Sequence, residues 1–148
     1  MQRTNIADRA CSVARTFDII GEPWTALIVR DVYAGIVRFE DLKRDLGISR
    51  KVLAERLGRL LEKEILRRHQ YSDRPPRFEY LLTEKGFDLC AVLLAAMAWG
   101  DRWTAGPAGP PVLLRHQACG EVTHAVLRCA GCGQPLDATD VDLEDGTR

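Results

Sequence analysis

Thr104 to Pro111 runs TAGPAGPP, with three prolines and two glycines. Proline lacks the amide donor and fixes φ, and glycine has no side chain to pack, so neither a helix nor a paired strand can pass through this stretch. It divides the 148-residue chain into a body, 1–103, a linker, 104–111, and a tail, 112–148, with an acidic C-terminus. A body of that size can bury one hydrophobic core, and a tail of that size cannot. With 46% apolar and 28% charged residues the chain fits neither a disordered nor a fibrous class. The apolar stretch Ala91 to Trp99 falls far short of the ~18 to 20 residues of a bilayer span. The first ten residues, MQRTNIADRA, lack the apolar segment of a secretory signal. The expectation is a chain without membrane contact, working in a reducing cytoplasm.

Within the body, Val13 to Ile20 and Trp24 to Val32 are predicted as two short helices broken at Gly21-Glu22-Pro23, and Phe39 to Leu46 as a third. Gly47 stops that helix, and Ser49 is placed to cap a fourth running to about Lys63. On this fourth helix Leu53, Leu57, Leu60 and Leu61 share one side at 3.6 residues per turn, which makes that side core. Lys51, Val52, Glu55 and Arg59 point away from it, Arg56 lies on the flank, and Ser49 and Arg50 stand at the positive helix end. Two helices joined by a tight turn, the second with a basic outer face, form a helix-turn-helix pattern. Leu66 to Tyr71 and Arg77 to Leu82 have strand content and are joined by Ser72-Asp73-Arg74-Pro75-Pro76, a hairpin placed where a wing would follow. Thr83 caps a long last helix whose Phe87, Leu89, Val92, Leu93, Leu94, Met97, Trp99 and Trp103 cover more than one stripe. A small domain cannot bury all of those faces, so a dimer partner is expected. No internal repeat appears along the chain.

Charge supports this division. The formal net charge is zero, yet residues 1–86 hold 17 Lys and Arg against 13 Asp and Glu, and residues 87–148 hold 4 against 8. Between Lys43 and Arg77 the balance is 11 to 5, a local excess suited to phosphate.

The ordered set CSVARTFDIIGEPWTALIVRD (Cys11 to Asp31), RFEDLKRDLGISRKVLAERLGRLLEKEIL (Arg38 to Leu66), RPPRFEYLLTEKG (Arg74 to Gly86) and the terminal AWGDRW resembles the HxlR-type winged helix-turn-helix regulators of bacteria. The resemblance implies a fold that is mainly α with a small β-hairpin wing and a long C-terminal dimerisation helix. It also implies a homodimer on double-stranded DNA, with the helix from Ser49 to Lys63 in the major groove and the wings on flanking backbone. The expected DNA contacts are Ser49, Arg50, Lys51, Val52, Arg56 and Arg59 on the helix, with Arg74 and Arg77 on the wing. Arg59 is expected to hold a phosphate or to pair with Glu55 or Glu62. Where the family usually carries a basic residue before Trp24, this chain has Pro23. Some family members sense oxidants or electrophiles through a cysteine at the position of Cys11, which makes Cys11 a candidate redox sensor; the other reading is a small buried residue. Cys90, among apolar neighbours, is expected in the core. A small-molecule effector pocket among Trp24, Trp99 and Trp103 is a further candidate.

In the tail, RHQACGEVTHAVLRCAGCG spaces His116-x2-Cys119 and Cys129-x2-Cys132 as two knuckles, each closed by a glycine, Gly120 and Gly133. Four N/S ligands in two such pairs suit a closed tetrahedral structural Zn2+ site, one per chain, on a small metal-bound β-hairpin tail formed by Glu121 to Arg128. Metal would supply the stabilisation that so few large apolar side chains cannot. Thiol redox chemistry and an unliganded tail are the alternatives. His124 matches neither spacing. The chain carries no Gly-rich phosphate loop, GxSxG or catalytic carboxylate pair, so an enzyme is not expected. The competing function is an adaptor whose zinc-ribbon tail docks another protein.

Overall fold

The computed structural model describes residues 6–146. After a short 3-10 turn at Ile6–Asp8 the body consists of α1 (Ser12–Ile20), α2 (Thr25–Tyr33), α3 (Phe39–Leu46), α4 (Arg50–Glu62), the hairpin β1 (Leu66–Asp73) and β2 (Pro76–Leu82), and α5 (Glu84–Thr104). The tail holds two short strands, β3 (Leu114–Arg115) and β4 (Val122–Thr123). The predicted winged helix-turn-helix is thus the fold observed.

Local chemistry explains the element ends. Gly47 takes φ 64°, a left-handed conformation open to a residue without Cβ, and its N–H donates to Lys43 O at 3.0 Å to close α3. Ser49 Oγ accepts the Val52 N–H at 3.2 Å and caps α4. Thr83 Oγ accepts the Gly86 N–H at 3.1 Å and donates to Glu64 O at 2.6 Å, so one hydroxyl both starts α5 and ties it to the end of the preceding segment. Gly86 has a packing reason, since a Cβ there would stand 2.3 Å from Ile65 O.

The core is the predicted apolar side of α4, Leu53, Leu57 and Leu60, closed by Ile28, Val29 and Val32 of α2, Leu42 and Leu46 of α3, Ile65 just ahead of β1, Leu66 and Leu82 of the hairpin, and Leu89 and Cys90 of α5. Strands β1 and β2 pair antiparallel from Leu66 with Leu82 to Asp73 with Pro76, with a register irregularity between Gln70 and Ser72. The ladder runs further into the turn than expected, because Pro76 sits at the strand start where no donor is needed. Arg38 bridges Glu79, and the Tyr80 N–H donates to Val37 O at 2.8 Å, so the chain between α2 and α3 adds a single pairing to the hairpin.

The chain forms two compact units, 1–93 and 94–148, and the division falls inside α5, ahead of the Pro/Gly stretch. In the second unit the hairpin is not the one expected from Glu121 to Arg128. β3 pairs with β4, Leu114 with Thr123 and Arg115 with Val122, so the His116–Cys119 knuckle is the hairpin loop. The segment after Glu121 is a strand only as far as Thr123, since its partner strand lies upstream of the knuckle. Among the described residues no helix is long and apolar enough to cross a membrane.

Candidate nucleic-acid interface

The first turn of α4 carries its charge outward. Ser49 and Arg50 are exposed ahead of the free N–H groups of the helix, and Lys51 is exposed beside them. Unpaired N–H groups and two cations at one helix end make a site for phosphate. The Arg50 guanidinium bonds Glu40 Oε1 and lies 5.0 Å over the Phe39 ring, which parks it against the start of α3. Val52 is half-buried and packs on the core, so it does not point away from it as the helical wheel suggested.

Further along α4 the two arginines turn toward the protein. Arg56 Nη1 stands 2.6 Å from Glu22 Oε2 and its Nε 3.4 Å from Pro23 O, with only 17% of the side chain exposed. Arg59 Nη1 donates to Glu22 Oε1 at 3.0 Å, and its Nη2 reaches Asp18 O at 2.7 Å and Asp18 Oδ2 at 3.1 Å. The partners of Arg59 are therefore Asp18 and Glu22, not Glu55 or Glu62. Glu22, buried at 6% exposure, is held between the two guanidiniums and joins α4 to the turn between α1 and α2. Nothing on the helical wheel of α4 could reveal this, because both carboxylates come from another element. The signal available in the sequence was an acidic residue inside the Gly-Glu-Pro break. Trp24 next to it takes φ 74°, left-handed for a bulky residue, so the turn holding Glu22 is a constrained one.

On the wing, Arg74 and Arg77 are exposed at the tip. The tip is braced by Ser72 Oγ donating to Pro75 O at 3.1 Å and Gln70 Nε2 donating to Asp73 Oδ1 at 3.0 Å. Sequence reasoning missed two further arginines with defined positions, Arg38 ahead of α3 and Arg68 on β1. Arg38 pairs with Glu79 at 3.1 Å and stacks 4.6 Å from the Tyr71 ring, and Arg68 lies 4.9 Å over Phe78.

The HxlR-like helix-turn-helix family matches residues 19–107, which takes in the core, α4, the wing and α5. The chain belongs to that family. An HxlR-like relative, the uncharacterised HTH-type transcriptional regulator Mb3122 of Mycobacterium bovis, is 44% identical over 135 residues, 91% of this chain and 85% of its own. The crystal structure of PA1607, a candidate transcription factor, superposes with a TM-score of 0.83 at 32% identity, covering 95% of this chain and 99% of that one. The reduced form of the Bacillus subtilis transcriptional regulator YodB gives 0.56 at 35% identity, covering 65% of this chain and 96% of YodB. YodB thus covers about two thirds of this chain and PA1607 nearly all of it.

Outside the DNA-facing residues, Cys11 is exposed and N-caps α1 with extended backbone and no side-chain cap bond. The reading of Cys11 as a small buried residue is therefore corrected. Cys90 is buried in the HxlR-like core as expected, and burial pushes its thiol up. In the tail His116 Nδ1 lies 3.3 Å from Cys119 Sγ, and the Cys129 sulfur accepts from the N–H groups of Cys132 and Gly131 and contacts the Cys132 thiol. These contacts, the Cys132 N–H first, lower the Cys129 pKa by favouring the thiolate. Two pairs are brought together, but among the described residues no three metal-binding side chains form one group. A cavity of about 870 Å³ in the second unit is lined by Met97, Trp99, Trp103, Leu114, Val126 and Leu127 among others; Trp24 is not part of it.

Proposed function

We propose that this HxlR-like regulator binds an inverted-repeat DNA operator as a homodimer, with α4 in the major groove and the wing tips on flanking phosphates. The observation that carries the reading is the pairing, on one compact unit, of an exposed cationic first turn on α4 with a hairpin whose tip exposes Arg74 and Arg77. Base readout belongs to Ser49, Arg50 and Lys51, exposed at the helix start, with Arg50 exchanging its Glu40 partner for a base edge. Arg56 and Arg59, held on Glu22 and Asp18, set the angle at which α4 is presented and add positive potential behind it. Dimerisation is supported by the apolar side chains left exposed on α1, Val13 and Phe17, and on α5, Phe87, Val92, Trp99 and Trp103. Exposed Cys11 at the head of α1 is the candidate entry point for an oxidant or electrophile signal, and the 870 Å³ cavity is the candidate site for a small apolar effector.

The test is affinity for an operator selected from random duplex. Replacing Arg50 or Lys51 with Ala should weaken binding by ~1 to 3 kcal/mol if the side chain reads a base. Two variants with unchanged affinity would remove the first turn of α4 from the contact surface.

A further inference from the structure

The tail contains a repeat too short to register across the whole chain. Leu114-Arg115-His116-Gln117-Ala118-Cys119-Gly120 and Leu127-Arg128-Cys129-Ala130-Gly131-Cys132-Gly133 share the pattern Leu-Arg-(His or Cys)-x-x-Cys-Gly. The structure repeats with it. In the first knuckle the Gly120 N–H donates to His116 O at 2.7 Å and the His116 N–H to Glu121 O at 3.0 Å. In the second the Gly133 N–H donates to Cys129 O at 2.8 Å and the Cys129 N–H to Gln134 O at 2.8 Å. Both glycines take φ 74°. In both, the arginine before the first ligand closes the turn, Arg115 Nη1 on Gly120 O and Arg128 Nη1 on Gly133 O.

Each turn presents two donor atoms of the type zinc takes. His116 Nδ1 and Cys119 Sγ are 3.3 Å apart, close to the ~3.5 Å edge of a tetrahedron built with Zn–N ~2.0 Å and Zn–S ~2.3 Å. In the second turn the same backbone frame holds Cys129 and Cys132 at the three-residue spacing of His116 and Cys119. From residue 112 to 146 every side chain is exposed or half-buried, so no hydrophobic core holds these turns in place. Two half-sites built on the same turn, on a coreless segment, need a common ligand to fix them.

We infer that the tail binds one Zn2+ per chain through His116, Cys119, Cys129 and Cys132, and that the ion is what joins the two knuckles. This inference is independent of the operator reading. It assigns the metal a structural role, since four protein ligands leave no open position.

Full-length protein purified under reducing conditions without added zinc should carry about one zinc per chain by elemental analysis. Cys119→Ser, Cys129→Ser and Cys132→Ser should each lose it, and Cys11→Ser and Cys90→Ser should keep it. Because a ligand variant could lose metal through a misfolded tail, His116→Cys supplies the second readout. Loaded with Co2+, the natural chain should give the spectrum of a tetrahedral three-thiolate site, and His116→Cys should retain the metal with stronger thiolate charge-transfer absorption. A reduced protein that holds no zinc and takes up no Co2+, metal retained in the Cys129→Ser chain, or an unchanged charge-transfer band in His116→Cys would each overturn the assignment.

Discussion

Glu22 is the residue on which the orientation of α4 depends, because it is the one buried carboxylate that both Arg56 and Arg59 reach. Replacing Arg56 with Ala leaves Glu22 buried with a single cation, and should lower folding stability by ~1 to 3 kcal/mol in urea unfolding. A midpoint unchanged from the natural chain would show that Arg56 is not needed to hold Glu22. A second buried carboxyl, Asp31, lies on α2. Burial raises the Asp31 pKa, opposed by its hydrogen bonds from Arg30, the Nε at 2.7 Å, and reinforced by Asp45. A carboxyl whose folded pKa lies above its unfolded one binds its proton more tightly when folded. Its contribution to stability is present below the unfolded pKa and is lost as pH rises through the folded one. Asp31→Asn should therefore gain in Tm relative to the natural chain as pH rises above the ordinary aspartate value of ~4. A Tm difference independent of pH would show that ionising Asp31 costs the fold nothing.

Among the elements, α5 leaves an apolar stripe in solvent. Val92, Ala96, Trp99 and Trp103 recur at helical spacing and are all exposed, the two tryptophans at 63% and 64%. Apolar side chains of that size in water are favoured to bury against a second copy. Trp99→Glu and Trp103→Glu should shift the protein from dimer to monomer in light scattering, with operator affinity falling in parallel. Dimers persisting in both variants would place the interface elsewhere. The apolar pattern of α4 was legible because one face repeats through Leu53, Leu57 and Leu60. The tail hairpin was misjudged because its ladder has only two pairs, Leu114 with Thr123 and Arg115 with Val122, too few to print an alternation in the sequence.

For the molecule as a whole, the zero formal charge means that DNA binding cannot rest on global attraction and must come from the local excess between Lys43 and Arg77. Operator affinity should fall log-linearly with salt, by ~0.9 in slope for each phosphate neutralised. Arg74→Ala and Arg77→Ala should each flatten that slope by about 1 while leaving the preference among operator sequences intact. A slope unchanged in both would take the wing tip off the backbone.

By itself the sequence determined the order of helices, the cap at Ser49, the stop at Gly47, the hairpin wing and the two knuckle spacings. Each of these is set by contacts within a few residues, where side-chain type and periodicity act directly on the backbone. The tertiary structure decided that Arg56 and Arg59 face Glu22 and Asp18, that Val52 is covered, and that β3 reaches across the first knuckle to β4. Those pairings join residues distant in the chain. Which partner a long side chain meets depends on how whole elements pack, and a wheel drawn for one helix carries no record of what is packed against it.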